Sequence, residues 1–102
     1  MTAATVEQRF EREYGCSVVE WERWLPGAVR DCPLLRPADN CAEVAFGPSA
    51  QLVLKWTVLA PRRIALITLP RLLVRFNFSD HSGPQRAKFM RYFDLYMQRG
   101  GG

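Results

Sequence analysis

Five cations crowd the middle of this chain: Lys55, Arg62, Arg63, Arg71 and Arg75. On extended backbone, Lys55, Arg63, Arg71 and Arg75 project from one sheet face, with Arg62 in an adjoining turn. An arginine cluster offers forked N–H donors that match phosphate or carboxylate. Trp56 or Tyr92 near its edge would add stacking, the combination that holds single-stranded nucleic acid. By spacing, however, the aromatic residues fall on the face opposite the arginines, and no RNP or helix-turn-helix pattern is present. These five cations are therefore the expected ligand-binding residues, and an anionic ligand or protein is the expected partner. Nucleic acid is the alternative. The competing reading is a solvated face paired with Glu7, Glu11, Glu13, Glu20 and Glu22.

Other residue types lead to less chemistry. His81 is the single histidine. Asp80-His81-Ser82 holds triad residue types only as chain neighbours, whereas a triad must converge in space. Cys16, Cys32 and Cys41 lack the close-paired spacing of a zinc site and read as small packed thiols. Asp94 sits in an otherwise apolar and basic helix, where Arg91 or Lys88 is the expected partner. No GxGxxG, P-loop, HExxH or GxSxG stretch occurs. The expectation is a binding module, with no catalytic residues, metal or cofactor; a carrier or an enzyme whose site these motifs do not reveal is the third reading. The terminal Arg99-Gly100-Gly101-Gly102 invites comparison with ubiquitin-like carriers. Those feed the tail from a strand, whereas here a helix precedes it.

The chain has 102 residues, 48% hydrophobic and 24% charged, which fits one globular domain and argues against global disorder. Residues 1–46 carry a net charge of −3 and residues 47–102 a net +7, so the two halves complement each other or a basic half meets an anionic partner. The apolar stretch 64–78 is broken by Thr68, Pro70, Arg71 and Arg75 and cannot span a bilayer. No membrane partner is therefore expected. The start lacks a basic-then-apolar signal pattern, and an odd cysteine count is a poor disulfide framework. Both favour a cytoplasmic location.

The elements that must position the cations follow from period and punctuation. Thr5 and Gln8 have capping-box spacing, and Val6, Phe10 and Tyr14 lie four apart, which predicts a first helix ended by Gly15. Ser17 and Glu20 open a second helix carrying Val18, Trp21 and Leu25, ended by Pro26-Gly27. Residues 31–41 read as a connector. Alternation predicts four strands, at 42–46, 52–58, 63–69 and 71–78, with turns at 47–49 and 60–62 and a break at Pro70. Ser82 and Gln85 form a third capping box. Phe89, Met90, Phe93 and Met97 line the final helix. The expected fold is α+β: two short N-terminal helices, a four-stranded antiparallel meander and a C-terminal helix packed on the sheet. One domain covers 1–99, and 100–102 form a flexible glycine tail.

Leu54, Trp56, Val74 and Phe76 should meet the last helix. Val53, Leu59, Ile67, Leu69 and Leu73 would then populate the other face, covered either by the N-terminal helices or by a second subunit as a homodimer. The stretch from Phe89 to Arg99 with its triple glycine, behind Trp56-Thr57-Val58-Leu59 and Pro61-Arg62, resembles small uncharacterised bacterial proteins. That resemblance implies a bacterial origin and carries no function with it.

Overall fold

A computed structural model describes residues 8–30, 32–47, 49–80 and 82–100. The fold is α+β, with one five-stranded antiparallel sheet and two helices. In chain order the elements are β1 (Arg9–Tyr14), α1 (Val18–Ala28), β2 (Leu34–Leu35), β3 (Cys41–Ala45), β4 (Gln51–Ile64), β5 (Ile67–Ser79) and α2 (Gly83–Gln98). The strands lie in the order β1-β5-β4-β3-β2.

The expected first helix is a strand. Phe10 and Tyr14 are four apart, which suits a helix face, but Phe10, Arg12 and Tyr14 also alternate with exposed Arg9, Glu11 and Glu13. Pairing with β5 decides between the two periods: Phe10 sits opposite Phe76 and Tyr14 opposite Leu72, and the Phe10 and Phe76 rings stack at 4.8 Å. The Thr5–Val6 part of the expected first cap lies outside the described residues. The connector likewise contains a short strand, β2, paired with β3. Five strands thus replace four, and one N-terminal helix replaces two.

Both later capping boxes are present. The Ser17 side chain accepts from the Glu20 N–H while the Glu20 carboxylate accepts from the Ser17 N–H, and Ser82 and Gln85 do the same for α2. Pro26-Gly27 does not end α1, which runs on to Ala28. Gly27 instead lets the helices approach, because a Cβ there would collide with the Tyr96 phenol.

Strand alternation builds the core. Leu52, Leu54 and Trp56 of β4 and Leu72, Val74, Phe76 and Phe78 of β5 are buried, together with Trp21 and Leu25 of α1 and Met90, Phe93 and Met97 of α2. Both helices therefore cover the same sheet face. Phe93 is the hub, edge-on to Trp21 at 5.9 Å and to Phe76 at 5.5 Å. The buried indole N–H groups of Trp21 and Trp56 find no acceptor among the described residues, which costs about 1–3 kcal/mol for each such donor.

The turn expected at 60–62 is a bulge inside one strand. Leu59 pairs with Arg71 and Arg62 with Leu69, so Ala60 and Pro61 together oppose Pro70. Prolines give no ladder N–H and are tolerated at bulges. The chain reverses later, at Ala65-Leu66, between the paired Ile64 and Ile67. The turn divides the expected third strand: Arg63 and Ile64 close β4, residues 67–69 join the expected fourth strand in one long β5, and β4–β5 becomes a hairpin that outruns its neighbours. β3 pairs with β4 only to Lys55, and β1 pairs with β5 only from Leu72 onward. The long axis is 46 Å and the Cα radius of gyration 14.2 Å, above the ~13 Å of a round domain this size.

Phe76→Ala is expected to destabilise the protein by about 3–5 kcal/mol in urea unfolding, as for a large buried aromatic. A loss below about 1 kcal/mol would place Phe76 outside the core.

Candidate functional site

The sheet face away from the helices carries the cations. Cross-strand register puts Glu11, Arg75, Lys55 and Cys41 in one row across four strands. Two residues further along β1 and β5, Glu13 and Leu73 pair, and Leu73 continues to Thr57. Arg62 pairs with Leu69 and so shares this face, whereas Arg63 pairs with Thr68 and points to the other. The bulge causes this exchange: one extra residue in β4 reverses the facing of everything beyond it. Lys55, Arg62, Arg71 and Arg75 are thus together, without Arg63.

β1 brings carboxylates to these cations. Arg71 grips Glu13 with two bonds, Nε to Oε2 at 2.9 Å and Nη2 to Oε1 at 3.0 Å, and its Nη1 donates to the Ala60 carbonyl at 3.1 Å. This clamp ties the bulge to β1. Arg62 reaches the same carboxylate at 3.9 Å. Arg75 Nε donates to Glu11 Oε2 at 3.0 Å. Hydrogen bonding from Arg71 holds the Glu13 carboxyl below its ordinary range, and the same bond raises the Arg71 guanidinium. Sequence reasoning placed Glu11 and Glu13 on a helix; their alternation with Phe10, Arg12 and Tyr14 was the signal for a strand.

Lys55 is exposed and makes no ion pair among the described residues, and neither does Arg63. Lys55 and Arg75 stand directly opposite each other. Like charges in that position destabilise a sheet, and Glu11 neutralises only one of them. Shallow depressions flank the pair. One lies between Arg9, Val53 and Asn77, and the other lies against the loop from Pro37 to Asn40. Trp56 faces the core and not the cations, with the Arg36 guanidinium 5.0 Å from its ring centre at the sheet margin.

The remaining chemistry is scattered. Asp94 accepts from Tyr14 at 3.1 Å and from Arg12 at 3.3 Å, so its partners come from β1 and not from Arg91 or Lys88. Burial, then the Asp94 charge and hydrogen bond, push the Tyr14 hydroxyl strongly up. Cys16 is buried, and desolvation followed by Glu20 raises its thiol to about 11; it is no activated nucleophile. Cys16, Cys32 and Cys41 form no disulfide with one another. No metal-ligating group of three residues occurs among the described residues, and His81 lies outside them. Between α1 and α2 an apolar cleft of about 310 Å³ is lined by Val29, Phe46, Phe89 and Tyr92. Arg30 stacks on Tyr92 at 3.6 Å beside it. No described helix is long and apolar enough to cross a membrane.

A scan against protein-family models gives no match, and a search of curated proteins gives none either.

Because the folded pKa of Glu13 is depressed, the stability it contributes is present above the ordinary carboxylate pKa and is lost as pH falls through the folded value. In carbon-detected NMR titration, Glu13 is expected to titrate below the ordinary carboxylate range, and Arg71→Ala is expected to return it to that range. An unchanged Glu13 titration in Arg71→Ala would contradict the clamp.

Proposed function

We propose that the protein is an interaction module whose open, basic sheet face receives an anionic ligand or protein partner, with Lys55 and Arg75 as the contact pair. The carrying observation is the side-by-side placement of these two cations on an uncovered sheet face. The arrangement costs the isolated fold and is repaid when an anion lies between them. Val53 and Asn77 offer flanking contact area. Arg71 works as a support, since its donors already serve Glu13 and Ala60. Arg62 and Arg63 belong to the hairpin beyond. The pair suits a carboxylate or a phosphate group, and a nucleic acid backbone is the alternative source of the latter.

Glu11 competes for Arg75, which gives the proposal a sign. Retention is read on immobilised polyglutamate and on a single-stranded oligonucleotide at about 50 mM salt, where phosphate contacts are strong. Lys55→Ala is expected to weaken binding and Glu11→Gln to strengthen it. Glu22→Gln, on α1, changes the net charge equally and is expected to leave binding unaltered. Equal effects of the two glutamate variants would reduce the interaction to net charge and contradict the site. No retention of the parent protein on either matrix would also contradict it.

A further inference from the structure

Beyond the sheet face, the hairpin end has an unusual composition. Its two-residue loop is Ala65-Leu66. Exposed hairpin loops normally take Asn, Asp or Gly, which supply polarity and tolerate positive φ. Here Ala65 holds φ 53, in the region that glycine favours, and neither loop residue is polar. Leu66 is 101% exposed, Ile67 59% and Ile64 54%. These are the outermost side chains of an arm whose edges lie beyond β1 and β3.

Charge is arranged behind this apolar end. Near the tip, Arg62 lies on one face of the ribbon, reaching Glu13 only at 3.9 Å, and Arg63 lies on the other, so a cation stands on each side of the arm. No Asp or Glu occurs from residue 44 to residue 79. At a strand rise of about 3.3 Å per residue, the arginines sit roughly 7–13 Å behind the loop. Amphipathic segments lying at a bilayer surface bury their apolar side about 5–10 Å into the headgroup boundary.

The shape also discriminates between occupants. The apolar end is convex, with Ile64 and Ile67 on the open face and Leu66 at the turn. A protein groove reads a strip along one face, whereas a fluid surface admits a tip from every side. Strand addition by another chain is disfavoured, because Pro61 and Pro70 interrupt both edges of the arm and arginines flank them.

We propose that the β4–β5 hairpin is a peripheral anchor for an anionic lipid surface: Ile64, Leu66 and Ile67 enter the headgroup boundary while Arg62 and Arg63 engage lipid phosphates. Resting on a bilayer in this way needs no spanning segment, so the expectation of no membrane partner, drawn from span length, does not bear on it. The arginines supply attraction to negative lipids, and the apolar tip supplies salt-resistant burial.

The test is co-sedimentation with phosphatidylcholine vesicles, with and without phosphatidylglycerol, at low and high salt. Binding is expected only with the anionic lipid, to be weakened by salt, and to fall about tenfold or more in Leu66→Asp and in Arg62→Ala/Arg63→Ala. Leu66 is fully exposed, so its variant keeps the parent's near-ultraviolet circular dichroism and urea midpoint. Ile67→Asp repeats the reading at a second tip residue. Binding unchanged in both tip variants would overturn the anchor, as would failure of the parent to bind anionic vesicles. If vesicle binding fails while Lys55-dependent retention on polyglutamate persists, the anchor alone falls. If tip variants instead abolish retention on the oligonucleotide, the arm is a nucleic acid contact and the anchor is wrong.

Discussion

Phe93 and the rings around it set the rest of the structure. Trp21 from α1 and Phe76 from β5 both pack edge-on against this one α2 side chain, so the two helices must lie on the same sheet face. Gly27 makes their close approach sterically possible under Tyr96. Tyr14 adds a further edge contact to Phe93 and passes its hydroxyl to Asp94, which fastens β1 to α2. Edge-to-face ring pairs add about 0.5–1.5 kcal/mol each beyond their area burial. Placing both helices on one side is therefore strongly favoured, and among the described residues it leaves the opposite side of the sheet without a covering layer.

That asymmetry shapes the electrostatics of the uncovered side. A sheet face open to water needs polar residues, and here they are arranged in cross-strand rows. β1 supplies carboxylates at alternate positions, and β5 answers with Arg75 and Arg71. The acidic and basic halves of the chain thus complement each other over part of the face. The match fails at Lys55, and it thins past the end of β1, where Arg62 reaches Glu13 only at 3.9 Å and Arg63 meets no carboxylate among the described residues. Arg71 stands at that boundary. Its bonds to Glu13 and to the bulge carbonyl fix the root of the arm, while the paired prolines keep the ladder there from adding strands.

Much of this was legible in the residues. The Ser17–Glu20 and Ser82–Gln85 boxes locate both helix starts, and the alternation from Leu72 to Phe78 gives the strand and its buried side. The face carrying Leu54, Trp56, Val74 and Phe76 does meet α2. The departures have local causes. Phe10 and Tyr14 satisfy the helical period and the strand period alike, and only a distant partner strand chooses between them. Pro61 and Pro70 are turn signals by type, but opposed to each other they make a bulge. A turn of Ala65-Leu66 carries no punctuation, so the hairpin's true end was hidden. The pairing of Asp94 with Arg12 and Tyr14 follows from the β1 reassignment. Four of the five expected site residues share a face, and Arg63 is displaced by the bulge. The apolar cleft between the helices left no mark in the sequence: Phe46 and Phe89 read as ordinary apolar positions of a strand and a helix, Tyr92 reads as an edge residue of the arginine cluster, and Val29 carries no signal.

The central claim is that packing ends at the root of the arm, so that the protein is one well-packed body with a bare hairpin. Residue-resolved native hydrogen exchange tests this most directly. Paired amides of β4 and β5 beneath the helices, in 52–56 and 72–78, are expected to exchange only through global unfolding. Those of the arm, in 62–69, are expected to exchange through local opening at least about 100-fold faster. Arm amides as slow as those beneath Phe93 would contradict the account, because they would mean that the hairpin is covered in the protein as it exists in solution.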